Sequence, residues 1–280
     1  MNALKKKLHT LDKLDWDLTD VEDITTLVFE AMSAIGTTDS EFRESIFSLL
    51  YTAIVNDHLE DESLKILLHE SMATEHGHAM LGAVSDDSVF DRSFSMLVTR
   101  WIVHHHRTSR KQLLTGKELE DILAFTCDYT IKEVDYRGYT HDKGWAHSIA
   151  HAATTLRTLA LCEEIDKAGL EKILMTIQEK VSIYEHVYVA DEMERWTMCV
   201  MNSLRRNLVS DDDMEKWIMS FINNNQKLES HDRMNLRINQ TNFLRSLYFR
   251  CSFKAMGGAF METLYQTIQD INTFHNEMEE

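Results

Sequence analysis

The chain has 280 residues with 46 acids against 29 bases, a formal net charge of −17 at pH 7, and no proline. Average usage of about 5% would place roughly fourteen prolines in this length, and proline breaks helix interiors, so its absence fits a chain that is helical nearly throughout. A field of this sign repels phosphate backbones and anionic lipid, which excludes nucleic acid and membrane from the expected partners.

No run approaches the ~18 consecutive apolar residues of a membrane span. The opening stretch MNALKKKLHTLDKLDWDLTD has basic residues without the apolar core of a signal peptide. Cys127, Cys162, Cys199 and Cys251 form no CxxC or CxC pair and fall in apolar stretches that read as helix. They are expected as buried, reduced thiols, and the expected compartment is the cytoplasm.

In chain order, Val21, Ile24, Leu27, Val28, Ala31 and Ile35 recur at helical spacing. Thr19 with Glu22 reads as a capping box, a pairing in which a hydroxyl and a later carboxylate each satisfy an unpaired backbone N–H. Thr38 with Glu41 and Thr115 with Glu118 repeat the pattern, and Ser210 with Asp213 is a weaker version. Further boundaries fall near 85–87, 138–144, 168–169, 230–231 and 257–258. These signals divide the chain into about a dozen helices, mostly of about 15 to 22 residues with short connections. No segment alternates with a period of two, so no sheet is expected. The expected fold class is all-α: a single domain over 1–280, built as one array of antiparallel helices. An α-solenoid of HEAT type and an α/α superhelix are both open.

Histidines recur along the way. His76 and His78 flank Gly77 and read as a solvated helix end, while the run at 104–106 points in three directions around a helix. Then KEVDYRGYTHDKG interrupts two helical stretches with two glycines, an arginine and several acids. Loops of this kind between rigid elements are where function tends to sit. After it, His147 and His151 are four apart and share one face of the expected helix. Such a pair supplies two imidazole nitrogens to one metal ion, zinc being the natural candidate. No glutamate follows His147, so the zinc-protease pattern with its built-in base is absent. A further ligand would come from Glu133, Asp135, His141 or Asp142. Two other readings stay open: the imidazoles pin the loop against the helix, or they line a metal-free pocket. Later, Glu192, Glu194 and Arg195 form a charged helical face suited to salt bridges. There is no GxSxG elbow, P-loop or GxGxxG turn.

Three stretches, SVFDRSFSMLV (88–98), EVDYRGYTHDKGWAHSIAHAATTL (133–156) and DEMERWTMCVMNSLRRN (191–207), resemble successive blocks of the bacterial domain of unknown function family 2785. The matching positions in the first two blocks are Arg92, Ser93, Glu133, Asp135, Arg137, Gly138, Gly144, Trp145, His147 and His151. Glu192 and Arg195 match in the third. The resemblance implies a cytosolic, all-helical bacterial protein and transfers no activity. The family pattern carries an acid three residues after the second histidine, where this chain has Thr154.

The expected function is a binding scaffold for a protein or small-molecule ligand. Its pocket is expected around Arg92, Glu133, Asp135, Arg137, Trp145, His147, His151, Glu192 and Arg195. The alternative is a hydrolase using His147 and His151 with Asp135 or Glu133, with or without a divalent metal held by the two histidines.

Overall fold

A computed structural model of the chain describes residues 3–109, 112–222 and 228–272. They divide into two compact units, Met1–Leu159 and Ala160–Glu280. The first contains α1 (Ala3–Lys13), α2 (Ile24–Met32), α3 (Ser40–Val55), α4 (Asp61–Met72), α5 (Ser88–Thr108), α6 (Gly116–Lys132) and α7 (Ser148–Leu159). Between α6 and α7 lies a ribbon of β1 (Tyr139–Thr140) and β2 (Gly144–Trp145). The second unit contains α8 (Lys167–Val181), α9 (Glu192–Arg205), α10 (Asp211–Met219), α11 (Ser230–Phe253) and α12 (Phe260–Ile271).

The all-α class holds, and among the described residues no helix is long and apolar enough to cross a membrane. Several helices are shorter than expected, α2 and α10 having only 9 residues each. The ribbon is a departure from the reading without strands. Tyr139 faces Trp145 and Thr140 faces Gly144 in antiparallel register. Two-residue strands are too short to leave an alternating pattern, which explains why the sequence did not show them.

Helix starts follow side-chain chemistry, though not always at the expected residue. Thr115 and Glu118 form a full capping box on α6, as do Ser210 and Asp213 on α10. The other two boxes do not form. Asp23 caps α2, while Thr19 binds the Asp17 carboxylate from its own N–H and hydroxyl. Asp39 rather than Thr38 caps α3, accepting from the Phe42 N–H at 3.0 Å. A carboxylate at the adjacent position competes with the threonine and, being ionised, makes the stronger bond.

In the first unit α5 is the post. Helices α3, α4, α6 and α7 all pack on it, α7 most extensively. Its buried residues run all round, including Phe90, Phe94, Met96, Val98, Trp101 and Val103. A helix apolar on every side must be surrounded. Helix α7 lies close because Ala150, Ala152 and Ala153 are small and fully buried.

In the second unit α11 packs on α9, α12 and α8, and α10 packs on α12. Helix α11 uses buried amides as fasteners. Asn239 Nδ2–H donates to the carbonyls of Ile183 at 3.0 Å and His186 at 2.8 Å, while its Oδ1 accepts from Tyr188 N–H at 3.2 Å. Arg206 gathers the carbonyls of Ala160, Cys162, Glu163 and Ile165. All four cysteines are buried, and none forms a disulfide. Cys162 lies in this carbonyl-rich turn rather than in a helix, because α7 stops at Leu159.

The two readings of the α3 cap separate experimentally. Asp39→Ala is expected to lower stability by about 1 kcal/mol, while Thr38→Ala stays within about 0.5 kcal/mol of the parent. Urea unfolding of the two variants measures it, and equal losses would argue against the carboxylate cap.

Candidate functional site

Helix α5 carries Arg92 into the interior, and Glu133 is the first residue after α6. Both side chains are 0% exposed. The guanidinium grips the carboxylate with two bonds, Nε–H to Oε2 at 2.5 Å and Nη2–H to Oε1 at 3.0 Å. Its remaining N–H groups reach Ser88 Oγ at 2.8 Å and the carbonyls of Ala79 at 3.3 Å and Ala83 at 3.1 Å. Burial acts to lower the Arg92 pKa, but the hydrogen bond and charge of Glu133 outweigh it, and the net shift is upward. The fully buried Tyr129 phenol is pushed well above its ordinary value, first by desolvation and then by the Glu133 charge.

The chain of polar contacts continues outward. Glu133 Oε1 also accepts from the Asp135 N–H at 2.8 Å. Asp135 in turn holds Arg137, whose Nη2–H donates to Oδ2 at 2.6 Å and whose Nε–H donates to Oδ1 at 2.8 Å. Ser85 N–H binds the same carboxylate at 3.0 Å, and Arg137 Nη2–H reaches the Asp86 carbonyl at 2.7 Å. The Ser148 hydroxyl, at the start of α7, donates to the Asp135 carbonyl at 2.6 Å. Four residues singled out from the sequence, Arg92, Glu133, Asp135 and Arg137, therefore form one network. It ties segments 79–88 and 133–138 to α5 and α7.

A second set lies along the ribbon. Trp145 stacks on His147 with ring centroids 4.2 Å apart and planes 5° from parallel. His147 and His151 are 5.7 Å apart, and His151 meets Phe94 edge to face at 5.3 Å. His147 is not inside the helix. It precedes α7 with φ at +53°, and its carbonyl accepts the first helical bond, from His151 N–H at 2.8 Å. The left-handed backbone turns its ring toward the ribbon, where it stacks on Trp145, and its plane is tilted 56° from that of His151.

His151 Nδ1 lies 2.9 Å from Ser93 Oγ and 3.2 Å from the Ser93 carbonyl. The Ser93 hydroxyl donates to the Ala146 carbonyl, so the proton of the imidazole contact sits on His151 Nδ1. Fully buried, with its hydrogen aimed at a carbonyl, Ser93 is a tie rather than an activated nucleophile. Thr154 donates to the Ala150 carbonyl at 2.7 Å. Among the described residues, no group of three or more His, Cys, Asp and Glu side chains is placed to hold a metal ion.

A family model described as "Protein of unknown function (DUF2785)" matches residues 78–249. The chain belongs to the DUF2785 family. No curated protein and no solved structure gives a significant match. The three DUF2785-like blocks fall within the matched range on α5, on the ribbon with α7, and on α9.

Glu192 and Arg195 lie in the second unit. Glu192 is buried and accepts from the Ala190 N–H at 2.8 Å, closing the turn before α9. Arg195 is half-buried one turn on, and Glu194 on the same helix pairs with Arg250. In the first unit, sequence reasoning missed Arg43 of α3. It donates to the carbonyls of Thr37 at 2.6 Å, Lys143 and Trp145, and its guanidinium lies 4.2 Å from the Phe90 ring centroid. An arginine beside Phe42 and in step with Ile46 and Leu50 was the signal, since an apolar stripe carries a charge only where something pairs it. The histidine run at 104–106 is also more embedded than its spacing suggested, with His106 Nδ1 accepting from Leu114 N–H at 3.1 Å.

His76 and Asp91 form a further tie, Nδ1 to Oδ1 at 2.7 Å. The Asp91 bond raises the His76 pKa above 6.5 against the opposing effect of burial, with smaller contributions from Glu70 and Glu75. A raised folded value means that this stabilisation is complete below the unfolded pKa and is lost as pH rises through the folded one. Urea stability measured between about pH 6 and pH 9 is expected to fall less with rising pH in His76→Gln than in the parent. An unchanged slope would remove the pair from the pH response.

Glu133→Gln leaves Arg92 buried without its counter-charge, and the expected loss is roughly 3–5 kcal/mol. Denaturant midpoints at constant slope measure it. A loss below about 1 kcal/mol would show that the pair does not anchor the fold.

Proposed function

We propose that the chain is a helical binding scaffold whose recognition surface for a protein or small-molecule ligand is the ribbon over 139–147. One observation carries this reading: Tyr139 is 58% and Trp145 44% exposed, yet both stand on a ribbon anchored to buried charge. Large aromatic rings held in place supply contact area at low entropic cost. The anchors are specific. Arg43 holds the carbonyls of Lys143 and Trp145, Ser93 holds that of Ala146, and His147 stacks beneath the indole. Gly144 at φ +73° lets the ribbon lie against α3, where an added Cβ would come within 3.0 Å of Ser40 Cβ. Hydrolysis by His147 and His151 with Asp135 or Glu133 draws less support, because both carboxylates already accept from an arginine and from backbone N–H groups.

The test combines a ligand screen with the double variant Tyr139→Ala/Trp145→Ala. A ligand of the scaffold is expected to shift the Trp145 indole N–H resonance, and its affinity should fall at least about tenfold in the variant at unchanged melting temperature. A ligand bound equally well by the folded double variant would remove the ribbon from the function.

A further inference from the structure

The three rings at the ribbon tip are set at steep angles rather than in a flat stack. Tyr139 meets Trp145 at 5.0 Å between centroids with planes at 69°, and meets His141 at 6.2 Å with planes at 74°. They form the walls of an open corner. His147 covers one face of the indole in parallel contact, which holds the Trp145 wall in position. Faces of aromatic rings carry negative quadrupole charge and attract cations.

The charge around the corner has the same sense. Asp142 lies in the turn between the strands, Asp86 and Asp87 lie in the segment that Arg137 and Lys143 bind, and Glu44 is next to Arg43 on the helix beneath. The nearby cations are already engaged: Lys143 on Asp87 at 2.9 Å, Arg137 on Asp135 at 2.6 Å, and Arg43 on backbone carbonyls. An anionic ligand would be repelled by a chain of net charge −17, whereas a cation would meet ring faces and an attractive field together.

We propose that the corner formed by Tyr139, His141 and Trp145 receives an arginine or lysine side chain from a basic peptide segment of a partner protein. This rests on the ribbon being the recognition surface, and it adds the chemistry of what is recognised. A guanidinium suits the corner especially well, because its planar face stacks on an aromatic ring while its edge N–H groups remain free to donate. The net charge of −17 favours approach of such a segment from a distance, and the ring corner gives it a fixed seat.

The full chain is tested against three immobilised peptides of about twelve residues. They share one spacing and carry arginine, glutamate or phenylalanine at the variable positions. The arginine peptide is expected to bind, to weaken with salt between about 50 mM and 500 mM, and to shift the Trp145 indole N–H. Its affinity should fall roughly tenfold or more in Tyr139→Ala and in Trp145→Ala, with Trp145→Phe retaining most of it. Both residues are exposed, and melting curves establish that the variants are folded. Equal binding of the arginine peptide by the parent and both alanine variants would overturn the proposal, since diffuse attraction to an acidic protein would then explain it. Binding of the phenylalanine peptide alone at Trp145 would overturn the cation assignment while leaving the ribbon as a recognition surface. If none of the peptides moves the Trp145 resonance, the cation seat falls, while the ribbon surface stands or falls with the ligand screen.

Discussion

Arg92 sits with no exposed surface near the start of the helix around which the first unit is built. Burying one ion costs several kcal/mol, and the attraction of a partner repays that only if geometry is good and the remaining donors are satisfied. Here the two-bond grip of Glu133 and the three acceptors from Ser88, Ala79 and Ala83 meet that condition. The constraint then propagates. Glu133 must sit where α6 ends, the chain after it must run extended so that the Asp135 N–H returns to the same carboxylate, and Asp135 must face Arg137 and Ser85. Irregular backbone near the interior is tolerated because each of these polar groups is paired.

Everything along the ribbon is placed by that anchor and by Arg43. The extended segment leads into β1, the turn returns as β2, and the N–H groups of Ala146 and His147 bind the carbonyls of Gly138 and Arg137. His147 takes a left-handed backbone at the step into α7, at a cost of order 1–3 kcal/mol for a residue with a side chain. The stack with Trp145 and the interlock of His151 with Ser93 surround that strained residue. Rigid support beneath and exposed aromatic surface above is how binding loops are commonly arranged on helical scaffolds. The same features underlie the proposal of recognition over hydrolysis: the Glu133 and Asp135 carboxylates and the Ser93 hydroxyl are committed to holding the backbone and its arginines.

The candidate site was legible in part. The interrupted segment 133–147 stood out by composition, and Arg92, Glu133, Asp135 and Arg137 were marked by the family blocks, but nothing in their spacing revealed that they bind one another. The partners are 41 residues apart in sequence for Arg92 and Glu133, and 58 for Ser93 and His151. Pairing over such distances depends on which faces of α5, α6 and α7 meet. Arg43, 102 residues from the Trp145 carbonyl, was missed for the same reason. The histidine pair is adjacent, with rings 5.7 Å apart, but His147 stands just before α7 rather than inside it, a local detail that four-residue spacing does not reveal.

Local rules alone determined the helical class, through the absence of proline and the apolar period, and the caps at Thr115 and Ser210, whose partners lie three residues away. Such features depend on neighbours along the chain, which the sequence states directly. Tertiary structure alone decided that four charged residues become one network running from the buried Arg92 out to the half-buried Arg137, that a two-strand ribbon forms where no alternation exists, and that Trp145 and Tyr139 are left facing solvent. Those outcomes turn on desolvation and long-range pairing. The energy of burying Arg92 has no meaning until Glu133 is brought to it.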